Sequence, residues 1–194
     1  MPRKRLSAGA ALGTADSHGS LLVPVVRTKG ALQAEYRKRR NPFTFLTIHP
    51  ADEGRYVAEG WLVHRRGKTA VRLKRDKPHD VALEDRVWCL FYRMGYPEIG
   101  GPHFKLRYHR GDGSLGEKQL DLFAKDDETV VIGECKSRAT RSRRTLQKDL
   151  HETQSLQKPI ANTIRQFYGR EFNPKIIWIY FTDKIIWSEP DVER

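Results

Sequence analysis

The segment 117–138 reads EKQLDLFAKDDETVVIGECKSR. Its pattern predicts a β-hairpin. Gln119 to Ala124 alternate as a strand does, and Thr129 to Cys135 are rich in β-branched and apolar residues. Lys125-Asp126-Asp127-Glu128 supplies a polar turn between them. Side chains alternate faces along a strand. Gln119 and Asp121 then share one face of the first strand, and Glu134 and Lys136 share one face of the second. Pairing the strands brings Asp121, Glu134 and Lys136 together.

Two carboxylates and a lysine at one end of a sheet suggest a definite chemistry. Two hard oxygen donors suit Mg²⁺, which keeps several waters and accepts a phosphate oxygen. A bound metal lowers the pKa of its water and neutralises charge on the phosphate. A lysine beside it positions the water or helps deprotonate it. The expected reaction is phosphodiester cleavage. The plainer reading of Glu134 and Lys136 is an ion pair on a solvated strand face. The apolar neighbours of both acids weigh against that reading, because an unpaired buried carboxylate is costly.

Asp121, then twelve residues, then Glu134-Cys135-Lys136 resembles the D…ExK signature of the restriction-endonuclease-like, or PD-(D/E)xK, nuclease superfamily. Lys118-Gln119-Leu120-Asp121 followed by Val-Ile-Gly-Glu-Cys-Lys-Ser is close to the variant of Mrr-like prokaryotic nucleases, in which a Gln often stands two before the Asp. Leu120 occupies the place of the namesake proline. The resemblance spans roughly residues 80 to 188. It implies an α/β fold with a mixed central β-sheet flanked by helices. It also implies a Mg²⁺-dependent DNA endonuclease, with Mn²⁺ able to substitute, that leaves 5′-phosphate ends in restriction or antiphage defence. Asp121 and Glu134 would bind metal, Lys136 would position the water, and Glu84 and Gln119 would assist. Glu84 stands in LEDRVW, on a helix preceding the sheet, where relatives often offer a metal-binding Glu. A first-turn Glu favoured by the helix dipole is an equal reading. A Gln on the later helix supports the site in some members; Gln147, Gln154 and Gln166 are the candidates.

The net charge of +12 points to a polyanionic partner, and it is unevenly spread. Residues 1–78 hold 17 Lys and Arg against 6 Asp and Glu, whereas residues 79–194 hold 19 against 18. The expected organisation is a small-residue tail over 1–20, a basic β-rich nucleic-acid-binding module over 21–78 and the nuclease-like domain over 79–194. Double-stranded DNA is the natural partner. Cutting both strands needs two sites, which favours a homodimer or larger assembly. Arg65, Arg66 and Lys68 form a basic turn in the module, and Arg138, Arg141, Arg143 and Arg144 form a basic loop beside the site. Both groups are candidates for phosphate contact.

In the basic module, strands are expected at 43–48, 56–64 and 68–74, with a bulge at Gly60 and a helix at 31–40. Phe43, Phe45 and Trp61 read as core, with base stacking the alternative. Asp80 to Tyr96 read as a helix capped by Asp80, ended by Gly95 and buried through Leu83, Val87, Leu90, Phe91 and Met94. Phe104 to Arg110 is a core strand. Thr145 to Gly169 is a crossover helix with a break expected at Pro159. Lys175 to Phe181 is a buried strand parallel to that of Glu134. Ser188-Glu189-Pro190-Asp191 resembles a helix N-terminus, which suggests a piece of a longer protein.

Cys89 and Cys135 lack zinc-site spacing, and Cys135 should face the sheet side opposite its neighbours. No apolar run nears the ~18 residues of a membrane span, and the start lacks a signal peptide's apolar core; a cytoplasmic location is the default. Two other functions stay open. One is a non-cleaving DNA-binding or sensing module of a defence system. The other is an RNA or repair nuclease with the same site.

Overall fold

The computed structural model describes residues 22–169 and 171–187. The expected tail over 1–20 and the expected helix start at Ser188–Asp191 lie outside them. The fold is α/β, with a mixed multi-stranded sheet and, among the described residues, four α-helices. The strands are β1 (Leu22–Val26), β2 (Phe43–Ile48), β3 (Leu62–Arg66), β4 (Val71–Asp76), β5 (Glu98–His109), β6 (Leu115–Gln119), β7 (Leu122–Lys125), β8 (Thr129–Arg144) and β9 (Lys175–Trp187). The helices are α1 (Lys29–Arg39), α2 (Glu53–Ala58), α3 (His79–Met94) and α4 (Gln147–Tyr168).

The larger sheet runs β1-β5-β7-β8-β9, with β6 also paired to β5. Among the described residues only the β8–β9 pair is parallel, and Glu134 faces Tyr180 across it. Helix α3 covers one side of the sheet through Leu83, Val87, Trp88 and Phe91, packed on Ile99, Leu122, Ala124 and Val131. Helix α4 covers the other through Ile160 and Ile164, packed on Phe104, Leu120, Phe123, Val130 and Ile132. This two-sided cover accounts for the continuous burial of β7 and of the first half of β8.

The central hairpin differs from its expected form at one point. Gln119 to Ala124 is not one strand: the chain breaks at Leu120–Asp121, between β6 and β7. The cause lies in β5. Gly101-Pro102-His103 bulges there, His103 has φ 54°, and β1 shifts register across the same place. Opposite the bulge, the Leu120 N–H bonds to the Phe104 carbonyl at 3.0 Å. Asp121 is thereby left out of the ladder. Lys125 belongs to β7 rather than to the turn; its ammonium is buried 3.5 Å from Glu98 and over the rings of Tyr168 and Phe172. Asp126 makes the turn, its Oδ1 accepting from the Glu128 and Thr129 N–H groups.

Other boundaries also move. Arg138 to Arg144 are not a loop, since β8 continues to Arg144 beside β9. Between Ser137 and Ser142 the register shifts, and on β9 Lys184 takes φ 59° to absorb it. Helix α4 runs through Pro159 without a break. Strand β9 is half-buried rather than buried, because among the described residues it is an edge strand paired with β8 alone. On α3, Pro78 rather than Asp80 holds the N-cap position, and Gly95 ends the helix at φ 89°. Leu90 and Met94 are exposed; Asp85 and Cys89 are buried in their place, against α1.

The division expected at residue 78 is not where the sheets divide. β1 pairs with β5, and α1 packs on α3 through Leu32 and a Tyr36–Tyr92 stack, so both belong to the larger body. The second sheet, β2-β4-β3, occupies only residues 43–76 and has its own core of Ile48, Trp61, Val71 and Leu73. Tyr56 lies on α2 rather than on a strand, and the bulge falls at His64 instead of Gly60. Phe43 and Phe45 are half-buried, outside that core. The two bodies join at a buried cluster. Asp85 accepts from Arg39 at 2.8 Å and from Lys77 at 2.7 Å, and Lys77 also donates to the Arg39 carbonyl.

Candidate active site

Strand alternation sends Glu134 and Lys136 to the α4 side of the sheet and Cys135 to the α3 side. Cys135 packs with Phe181 and Leu122, as a small core residue. Its thiol is pushed well up, by burial first and then by Asp121, Glu84 and Glu134. Asp121, freed by the break before β7, turns onto β8 and accepts a hydrogen bond from the Cys135 N–H at 2.7 Å. A single backbone contact thus sets the first acid beside the strand that carries the second.

Glu134 is almost fully buried. Its Oε2 lies 3.4 Å from the Lys136 ammonium. Its Oε1 is buried without a hydrogen bond, and 3.8 Å from the Lys118 ammonium. Burial, then the charge of Asp121, pushes the Glu134 carboxyl above its ordinary value, while Lys118 and Lys136 pull the other way. Burial likewise raises Asp121, against the Cys135 N–H and the same two lysines. Burial works against the charge of Lys136, but Glu134 and Asp149 outweigh it and hold the ammonium above its ordinary range.

Glu84 is half-buried on α3. Burial, then the charge of Asp121, raises its carboxyl to about 7. It lies on the helix that covers the sheet side opposite Glu134, and the charge of Asp121 acts on both carboxyls. Among the described residues, no three His, Cys, Asp or Glu side chains converge as a metal-holding group. Two carboxylates are nonetheless enough for Mg²⁺, which keeps most of its water. Asp121 and Glu134 fit that role on one observation: a buried carboxylate oxygen on Glu134 that accepts no hydrogen bond, next to a second acid whose charge raises its carboxyl.

The other expected residues are placed variously. Gln119 is exposed on β6; alternation puts Lys118, not Gln119, on the Glu134 side. Gln147, Gln154 and Gln166 are all exposed. Helix α4 reaches the site through Asp149 and Glu152 instead: Lys136 lies 3.4 Å from Asp149, and Lys118 2.8 Å from Glu152. Tyr180 donates to the Asp149 carbonyl and contacts the Thr153 hydroxyl. Asp149, Glu152 and Thr153 recur at i, i+3 and i+4, a spacing that signals one polar helix face. Arg138, Arg141 and Arg143 are exposed along the β8 extension, while Arg144 turns back to Asp149 at 3.3 Å. Arg65 and Lys68 are exposed; Arg66 is held by both oxygens of Glu53.

The chain was compared with protein-family models, with curated proteins and with solved structures, and none of the three yields a match. Among the described residues, no helix is long and apolar enough to cross a membrane.

Proposed function

We propose that this chain is a metal-dependent DNA endonuclease of the restriction-endonuclease-like type, acting in the cytoplasm in restriction or antiphage defence. One observation carries the reading. Asp121 is bonded to the backbone between Glu134 and Lys136, so the three groups of the D…ExK pattern meet at one end of a mixed sheet.

Asp121 and Glu134 would hold Mg²⁺, or Mn²⁺ in its place. The ion would supply an acidified water and charge neutralisation at the phosphate. Lys136 donates to whatever oxygen lies in front of it, and Asp149 and Glu134 on either side fix its direction. Lys118 supports the charge of Glu134 from the other side. Glu84 shares electrostatic influence with Asp121 and acts as an accessory acid. Arg138, Arg141 and Arg143 continue along β8 from the site, where a phosphate backbone would run. Cutting both strands would require two copies of the chain.

The second reading is a DNA-sensing module that does not cut. The observation behind it is that, among the described residues, Glu84, Asp121 and Glu134 do not converge as one three-acid metal-holding group. Supercoiled plasmid separates the two. Nicking or linearisation with Mg²⁺ or Mn²⁺, lost in EDTA and in Lys136→Ala, supports the nuclease. Salt-sensitive binding with no cutting by the wild type supports the sensor.

A further inference from the structure

The small sheet has two unlike faces. On β2, Leu46 and Ile48 turn to the core beneath α2; on β4, Val71 and Leu73 do the same. Alternation puts Phe43 and Phe45, with Arg72 and Lys74, on the other face. The bulge at His64 adds its ring, 5.2 Å from that of Phe45. Leu62, opposite Lys74, is 59% exposed on the same face.

Two features of this face are chemically informative. The rings of Phe43 and Phe45 meet edge to face, 6.5 Å apart with their planes at 71°, and each carries a cation: Lys74 is 4.6 Å from the first, Arg72 4.4 Å from the second. Neither cation has a carboxylate partner among the described residues, nor has Arg65, which faces Arg72 across the sheet. By contrast, Arg66 points to the α2 side and is neutralised by Glu53. The face thus combines aromatic rings with three cations outside any ion pair among the described residues and one carboxylate, Asp76, opposite Phe43.

We infer that the open face of the β2-β4-β3 sheet binds single-stranded DNA, with unpaired bases stacking on Phe43, Phe45 and the Arg72 guanidinium while Lys74 and Arg65 contact phosphates. Stacking on aromatic rings and guanidinium planes needs the flat face of a base, and a duplex hides those faces in its own stack. A duplex would meet only the cations and leave the rings idle. Charge complementarity selects a polyanion; the rings select an unpaired one. This inference needs no cleavage by Asp121, Glu134 and Lys136, and it holds for a cutting or a non-cutting protein. Joined to the nuclease reading, it makes the substrate DNA with an unpaired segment near the cut.

Fluorescence anisotropy with the full chain in EDTA tests it, using an oligo-dT strand, a duplex of equal length and an oligo-rU strand. The expected result is tighter binding to oligo-dT than to either competitor. Phe43→Leu with Phe45→Leu should weaken the dT complex roughly tenfold and leave the duplex unchanged. Arg72→Gln with Lys74→Gln spares the rings and should weaken dT binding and flatten its salt dependence. If the leucine pair lowers the thermal midpoint, the glutamine pair and photocrosslinking of a bromodeoxyuridine strand decide, with adducts expected at Phe43, Phe45 or His64. Equal loss on strand and duplex, adducts confined to β8, or a preference for oligo-rU overturns it. Because these measurements run in EDTA, they do not depend on cleavage; a failed plasmid-cutting assay beside the expected dT result would count against the nuclease alone.

Discussion

The Asp121 carboxylate accepts a hydrogen bond from the backbone N–H of Cys135 at 2.7 Å. The acid therefore takes its position from a main-chain atom lying between Glu134 and Lys136, not from their side chains. Asp121→Asn keeps an acceptor for that N–H and removes the charge. It should preserve the fold, reduce cutting at least about a hundredfold, and abolish the rise in thermal midpoint that Mn²⁺ gives the wild type. Scanning calorimetry with and without Mn²⁺ checks this; an Mn²⁺ shift that survives the substitution would remove Asp121 from the metal site.

Lys118 supports Glu134 from the side opposite Lys136. Without it, the Glu134 carboxyl should rise further, because one of two opposing cations is gone. The acidic limb of the pH–rate profile of Lys118→Met should then move to higher pH, and Lys118→Arg should restore it. An unmoved limb would reduce Lys118 to a surface tie to Glu152.

Glu84 gives a pH-dependent stability. Its folded carboxyl titrates at about 7 against an ordinary 4.5, so the folded chain holds the proton more tightly than the unfolded one. The contribution is fully present below the ordinary value and is lost as pH rises through about 7. In EDTA, Glu84→Gln should raise the thermal midpoint at pH 8 by about 2–4 °C and change it little at pH 4. The opposite pH dependence would mean that Glu84 is held as a carboxylate by a cation.

Gly133 lies where three strands meet. A Cβ there would fall 2.9 Å from the Phe181 ring and 3.0 Å from the Leu122 Cβ. Gly133→Ala should cost about 1–3 kcal/mol by urea denaturation. It should also lower cutting, since Leu122 and Gly133 adjoin the two acids. Full activity in a destabilised variant would show that the acids tolerate the shift.

Asp85 is buried between Arg39 and Lys77, whose side chains are 11% and 9% exposed. Asp85→Ala leaves two cations facing each other, with Glu35 still holding Arg39. The expected loss is about 3 kcal/mol, at the lower end for a broken buried pair. A loss under about 1 kcal/mol, read from the urea midpoint, would mean that water reaches the cluster once the acid is gone.

The strands around Asp121 and Glu134 were legible because their alternation is local. The break at Leu120–Asp121 was not, for its cause is a bulge at residues 101–103, on another strand. Ser137 to Arg144 look like a loop by composition; pairing with β9 overrides that. Tyr56 looks like part of a strand, yet the turn from Pro50 to Asp52 starts a helix there. Within the site, Lys118 was hidden by the same error of phase, since treating Gln119 to Ala124 as one strand turns Gln119 toward Glu134. Asp149 and Glu152 had a readable helical spacing, but nothing in the sequence tied that face to the strand. The buried role of Arg39 was masked by its place in the basic run 37–40.

The Lys77 N–H bonds to the Pro42 carbonyl at 3.1 Å, so the chain enters and leaves the small sheet at adjacent points. Residues 43–76 are in this sense a cassette whose ends already touch. Joining its two ends by a short linker would close the larger body without stretching α1 or α3, and a foreign module could be seated at the same junction. The α1–α3 contact, which lies wholly outside the cassette, would be left intact by either change.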